Sequence, residues 1–307
     1  MRCAKTKDMQ DGVPEDSLEE PVRACIFCST TVLTPCRTFV QESPPVRLIM
    51  CSECKAQMVD HLPQREFLDK LYTESEYVGF LEGSQRLTRA LARRLASEVR
   101  ASWSTSVVVQ ILDYGGGSGS LARCLAAALT EHELRSQVTV VDIISGELGD
   151  ELTFLTPDEF DACTQTFDVI LCSAVIEHLR DPGFRLKNLY SRLNAGGWIY
   201  VRSPQLGGLK ILRASWFRWP RHLSEFGPAF WRRFPPAMGW NVEFVWSRAS
   251  RPETEWRTRP ISTVVAIALK SPSFLELGLR RMLRLSKGCR YPWVGGWEFL
   301  GRKRATT

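Results

Sequence analysis

The chain has 307 residues, 44% hydrophobic and 24% charged. That composition excludes a fibrous repeat and wholesale disorder, and the length suits one main domain plus a smaller module. No run approaches the roughly 18–20 consecutive apolar residues of a membrane span and the first residues hold no apolar signal core, so a cytoplasmic protein without a transmembrane segment is expected. The net charge of +6 is unevenly spread: residues 1–204 carry 21 Lys+Arg against 28 Asp+Glu, residues 205–307 carry 19 against 6. Eight of the ten tryptophans also lie in 205–307. This is either a surface that meets an anionic or planar partner, nucleic acid included, or a solvated basic face over an aromatic core.

Residues 1–20 are polar, acidic and aperiodic, and are expected to be a disordered leader. Within 21–62 stand two CxxC pairs, Cys25-Ile-Phe-Cys28 and Cys51-Ser-Glu-Cys54, with 22 residues between them. Two such knuckles complete a tetrahedral thiolate shell, so the reading is a small module stapled by a structural zinc ion. Four sulfurs leave no open coordination position for catalysis. Residues 63–104 read as a helical linker, in which Leu87, Leu91 and Leu95 form an apolar stripe at a spacing of four.

Strands then alternate with helices. Expected strands are 107–114, 137–143, 167–173 and 198–204, with a short one at 151–155, and expected helices are 120–130 and 182–193, the latter capped by Asn194-Ala-Gly-Gly197. This rhythm predicts an α/β fold with a doubly wound, mostly parallel sheet. A Trp/Arg-rich insertion (205–223), a helix at 228–234 and two closing antiparallel strands, 241–247 and 261–269, follow. The segment 274–287 mixes Leu and Met with Arg and reads as a helix covering the sheet, with a membrane-surface helix as the alternative.

Asp113-Tyr-Gly-Gly-Gly-Ser-Gly119 joins a strand to a helix, where small residues let a ligand approach the backbone. Gly117, Gly119 and Ala122, with Asp142 after the next strand, also fit a dinucleotide fingerprint, so a nicotinamide or flavin enzyme competes. Asp113 separates the two readings: its charge repels a pyrophosphate and attracts the ammonium of an amino-acid moiety. Asp142 suits ribose hydroxyls in either case.

These residues resemble the class I S-adenosylmethionine-dependent methyltransferases over roughly residues 77–270. The resemblance rests on Leu112–Gly119, Val141-Asp142, Phe167–Pro182 and Leu193–Pro204. It implies a seven-stranded Rossmann-like methyltransferase domain over 105–270, a donor-site lid within 63–104, and an acceptor pocket built by an insertion at 205–235. The rest, 271–307, is left as a basic C-terminal helix and tail. Asp113, Gly115, Gly117 and Gly119 would surround the methionine part of S-adenosylmethionine, Asp142 would hold the ribose and Ile143 would pack on adenine. Ser173 and Ala174 would lie near the sulfonium, with Tyr77 closing over it. The CxxC pairs followed by Leu71–Tyr77 look like the subgroup with a small zinc module, whose members often modify sugars or natural products.

A sulfonium methyl is already activated, so a base is needed only where the acceptor loses a proton. Of four histidines, His178 follows Glu177 at the mouth of the fourth strand and His222 lies in the insertion, whereas His61 and His132 sit elsewhere. His222 and His178 are the candidate bases, and Glu177 orients a histidine or binds an acceptor cation. Arg213, Arg218, Arg221, Arg232 and Arg233 suggest an anionic small-molecule acceptor, such as a sugar, a nucleotide-sugar or a natural-product intermediate. RNA or protein methylation and a non-catalytic binding protein are the rival functions.

Overall fold

A computed structural model describes residues 12–73, 85–143, 152–205, 217–249 and 295–305, with isolated positions between 261 and 283. The N-terminal part is an antiparallel hairpin of β1 (Leu33–Gln41) and β2 (Val46–Cys51), extended by the short β3 (Gln57–Val59). Two helices follow, α1 (Arg65–Thr73) and α2 (Gln85–Val99).

The main sheet begins with β4 (Val108–Tyr114), a β-branched run that the glycine turn joins to α3 (Ser120–Thr130). The chain continues through β5 (Arg135–Val141), β6 (Leu152–Leu155), α4 (Pro157–Ala162), β7 (Phe167–Ser173), α5 (Pro182–Ser191) and β8 (Leu193–Gln205). α4 starts on a capping box, in which Thr156 and Glu159 satisfy each other's backbone N–H. The remaining elements are β9 (Ser224–Glu225), α6 (Pro228–Ala237), β10 (Val242–Ala249) and β11 (Gly295–Lys303).

Seven strands form one sheet in the order β10-β11-β8-β7-β4-β5-β6, parallel from β8 to β6, with β11 antiparallel to both its neighbours. This is the doubly wound, mostly parallel architecture expected. Side chains alternate across it, as a two-residue period requires. Ile111, Val138, Val140 and Tyr200 face Leu95, Leu125 and Leu129 of α2 and α3. Leu112, Ile170, Val201 and Phe299 face Phe160, Leu186 and Leu189 of α4 and α5 and Trp231 of α6.

The second face also receives the cysteine module. Phe27, between the first two cysteines, sits edge-on to Phe226, Phe230 and Phe234. β3 pairs with β9, so the module's sheet is completed by a strand from beyond the main sheet's eighth element. Trp231 stacks on Phe299 at 4.1 Å, and Trp240, Trp246 and Trp297 are buried as well. The tryptophans of the basic third that the structure describes are therefore largely core.

Four sequence expectations are corrected. The strand assigned to 261–269 is not there: its described positions are helical, and the antiparallel strand that lies between β8 and the edge strand β10 is β11, inside the segment read as a tail. Alternating β-branched residues at 261–269 imitate a strand, but the place between β8 and β10 is taken by β11. Residues 12–20 of the supposed leader are ordered: Val13 is buried, its N–H donates to Gln41, and Leu18 bridges to Pro63. Asn194-Ala-Gly-Gly197 does not cap a helix, because α5 ends at Ser191 and these residues open β8, with Asn194 donating to Asp168. Finally, Leu275, Leu279, Met282 and Leu283 are exposed, so this stripe does not lie on the sheet. Among the described residues no helix is long and apolar enough to cross a membrane.

Candidate active site at the strand ends

From β4 the chain moves outward through β5 and β6, then returns to the other side of β4 as β7. The order reverses between β4 and β7, which opens a crevice at their carboxyl ends, the place where ligands collect in open α/β sheets. Two loops line it. One is the glycine turn after β4, the other is the Ala174–His178 segment after β7.

Gly115, Gly117 and Gly119 have φ values of 68°, 53° and 68°, a left-handed backbone that explains why glycine stands at each. A Cβ on Gly115 would overlap the Val175 side chain, so the two loops meet across the crevice. The Asp142 carboxylate accepts a hydrogen bond from the Gly117 N–H at 2.7 Å. Asp113 lies beneath the turn, 2% exposed, and accepts from the Ala122 N–H at 3.3 Å in the first turn of α3. Burial pushes its carboxyl up to about 7, and Asp142 nearby adds to the effect. Ile143, just past β5, leaves its apolar side chain 63% exposed. A bare backbone cradle, two carboxylates and an exposed aliphatic side chain at one strand end match the parts of an amino-acid nucleoside. Ser173 ends β7, and Ala174 takes a left-handed φ of 60° while its N–H donates to the Arg202 carbonyl at 2.8 Å. Tyr77 falls outside the described residues.

The second loop continues into a buried polar cluster. Glu177 and His178 end a single 3-10 turn, and His222 arrives from the segment before β9. The imidazoles of His178 and His222 meet edge to face at 4.8 Å. Glu177 is fully buried, its carboxylate oxygens have no hydrogen-bond partner, and Oε1 lies 3.8 Å from His178 Nε2. Burial pushes Glu177 up to about 8, with Glu225 adding and Arg202 and Arg218 opposing. Burial pushes His178 down to about 4, and Arg218 and Arg221 act in the same direction. The proton of this adjacent pair therefore rests on the carboxyl near neutral pH and leaves the imidazole uncharged.

Of the arginines singled out in the sequence, Arg218 and Arg221 belong with this cluster, while Arg213 lies outside the described residues. Arg233 instead reaches the carbonyls of Ser52 and Glu53 in the second cysteine knuckle, at 3.4 and 3.3 Å. Arg232 is exposed on the same helix. Sequence reading missed Val175, Glu225 and Tyr72. No local signal marks them, because each gains its meaning from a partner at least 48 residues away in the chain: Tyr72 from His178, Glu225 from Glu177 and Val175 from Gly115.

The four cysteines converge in the N-terminal module. The Sγ atoms of Cys25 and Cys54 lie 3.6 Å apart, as do those of Cys28 and Cys51, and all four fall within 4.8 Å of one another. Four sulfurs at about 2.3 Å from one ion would be about 3.8 Å apart in a tetrahedron, so the set is spaced for a single metal ion. No disulfide joins these cysteines.

Residues 80–243 match the family described as "Methyltransferase domain". A ubiquinone biosynthesis O-methyltransferase of Parvibaculum lavamentivorans is 33% identical over 99 residues, 30% of this chain and 39% of that protein. A second protein of that description, from Albidiferax ferrireducens, is 31% identical over 125 residues, 35% of this chain and 47% of its own length. The chain thus spans less than half the length of these curated relatives. Among solved structures, a SAM-dependent methyltransferase from Archaeoglobus fulgidus aligns with a TM-score of 0.45 at 17% identity, covering 75% of this chain and 100% of that one.

Proposed function

This chain belongs to the methyltransferase-domain family, its sheet being that of the class I S-adenosylmethionine-dependent enzymes, and from that premise we propose that it methylates an ionisable hydroxyl on a small anionic molecule. The observation that carries this reading is the Ala174–His178 segment. Within five residues it runs from Val175, against the glycine turn, to the imidazole pair beside Arg218 and Arg221.

In this reading the Gly115–Gly119 turn, Asp113 and Asp142 hold S-adenosylmethionine, which supplies a methyl group already activated on a sulfonium. Asp113 faces the donor's ammonium and Ile143 packs on its adenine. The acceptor hydroxyl lies on the His178 and His222 side. Uncharged imidazole takes the hydroxyl proton as the oxygen attacks, and the neutral Glu177 carboxyl keeps negative charge away from that oxygen. Arg218 and Arg221 hold the acceptor's anionic group in the orientation that an in-line transfer needs. The relatives are named as O-methyltransferases, which supports oxygen as the methylated atom. Cys25, Cys28, Cys51 and Cys54 hold a structural zinc ion that fixes the module against α6.

The test is titration calorimetry with S-adenosylmethionine, followed by transfer assays on matched hydroxyaryl carboxylates and their neutral esters. The carboxylates are expected to turn over at least tenfold faster. Equal rates on both would remove the anionic acceptor, and absence of donor binding would remove the enzyme. Replacing His178 or His222 by Gln is expected to lower kcat by roughly 10²–10⁴ with donor affinity kept.

A further inference from the structure

His178 Nδ1 lies 2.9 Å from the backbone carbonyl oxygen of Arg221. A carbonyl only accepts, so Nδ1 carries the imidazole proton. The Tyr72 hydroxyl completes the arrangement: it is 3.0 Å from the same Nδ1 and donates to the same carbonyl at 3.1 Å. The phenol oxygen accepts a share of the Nδ1–H while its own proton goes to the carbonyl. All three groups are then satisfied in one orientation of the ring. With Nδ1 occupied, Nε2 holds the lone pair, on the side of the ring where Glu177 Oε1 stands.

Tyr72 comes from α1, in the stretch between the cysteine module and the methyltransferase domain, 106 residues before His178. It is held there by the apolar cluster around Leu68, Phe217 and Leu223, which joins α1 to the segment carrying His222. The stretch read from the sequence as a lid over the donor thus delivers, at its described end, a side chain to the acceptor side.

We propose that Tyr72 is a positioning residue which, together with the Arg221 carbonyl, locks His178 in the Nδ1–H tautomer so that Nε2 faces the acceptor as the proton-taking atom. This deepens the reading of the site given above and rests on it for the role of Nε2, though not for the tautomer. The general rule is that the hydrogen bond on one imidazole nitrogen decides what the other can do.

Nitrogen-15 NMR of histidine-labelled full-length protein reads the tautomer directly, whether or not an acceptor is known. His178, assigned by its loss in His178→Gln, is expected in the Nδ1–H form, and Tyr72→Phe is expected to shift it toward a mixture of tautomers. In the transfer assay, Tyr72→Phe is expected to lower kcat about tenfold, with KM and donor affinity within twofold. A wild-type His178 protonated on Nε2 would overturn the proposal, as would a Tyr72→Phe protein whose imidazole signals and kcat both match wild type. Should the variant be unstable, the wild-type spectrum alone decides. An Nδ1–H tautomer without methyl transfer to any acceptor would sink the proposed function and leave the role of Tyr72 standing.

Discussion

The carbonyl of Phe27, in the first cysteine knuckle, rests on the α-carbon of Gly183 in the first turn of α5, and a Cβ at position 183 would overlap it. The Gly183 N–H donates to the neighbouring Ile26 carbonyl at 3.1 Å. The knuckle and the main sheet's α5 therefore meet backbone to backbone, and the cysteine module is part of the wall behind the Glu177–His178 turn. Arg180, in the loop between, is paired with Glu19 on the module side.

Replacing Gly183 by Ala tests this contact. Alanine is the better helix former by about 1 kcal/mol, so an exposed site would gain stability. Here the methyl group meets rigid backbone, and a net loss of roughly 1–3 kcal/mol is expected, seen as a lowered thermal midpoint. A midpoint at or above wild type would show that the knuckle yields.

Removal of the metal is expected to act through the same wall. Cys54→Ser or chelation should abolish binding of one zinc ion per chain, measured by elemental analysis or native mass spectrometry. Midpoint and acceptor turnover should fall together, while donor affinity falls less, since the glycine turn joins β4 to α3 and is held by Val141 and Asp142 at the end of β5. Full retention of zinc by the variant would show that another ligand set holds it.

Asp113 sets a pH dependence of known sign. Burial pushes its folded carboxyl up to about 7, well above the ordinary carboxylate range, so the folded protein without donor keeps a proton that the unfolded chain has lost. Stability from this group therefore declines as pH rises from about 4 to about 7. Asp113→Asn is expected to raise the midpoint of the donor-free protein at pH 8, by roughly 1–3 kcal/mol. It should also weaken S-adenosylmethionine binding, because the ammonium loses its charged partner. Donor affinity of the wild type should in turn rise between pH 6 and 8 as Asp113 ionises. Affinity that is flat across that range, measured by calorimetry, would place the ammonium elsewhere.

The parts of this molecule that were legible in the sequence are those whose meaning is local. Asp113–Gly119 needs left-handed backbone between a strand and a helix, and only glycine supplies it cheaply. Cys25, Cys28, Cys51 and Cys54 carry their geometry in their spacing. The strands β4, β5 and β7 carry runs rich in Val, Ile and Leu where they are buried, as strands covered on both faces do. What sequence reading lost was pairing at a distance. The segment 261–269 has the composition of a strand, yet Gly295–Lys303 takes the place between β8 and β10, and nothing local separates a β-branched helix from a strand. Tyr72 and Glu225 look like ordinary helix and loop residues until Arg221 and Glu177 are placed beside them.

The strand next to the edge, β11, is tied to α2 and to β10 by a buried ion cluster. Glu298 of β11 accepts from Arg94 of α2 at 2.7 Å and from Arg248 of β10 at 3.2 Å, and its side chain is 4% exposed. Both guanidiniums also lie against the Trp246 ring, at 4.9 and 3.9 Å from its centroid. Two cations meet this carboxylate in a nearly dry setting. Glu298→Gln keeps the shape but removes the buried negative charge that both guanidiniums contact, and a loss of about 3–5 kcal/mol is expected, measured by chemical denaturation. Because Arg94 anchors α2, the same variant should loosen the helix that leads into the catalytic sheet, with faster amide exchange along Ala92–Val99. Replacing all three ionic residues with apolar side chains should restore much of the loss, since the cost lies in stranding the charges. A Glu298→Gln protein as stable as wild type would mean that solvent reaches the cluster and screens it.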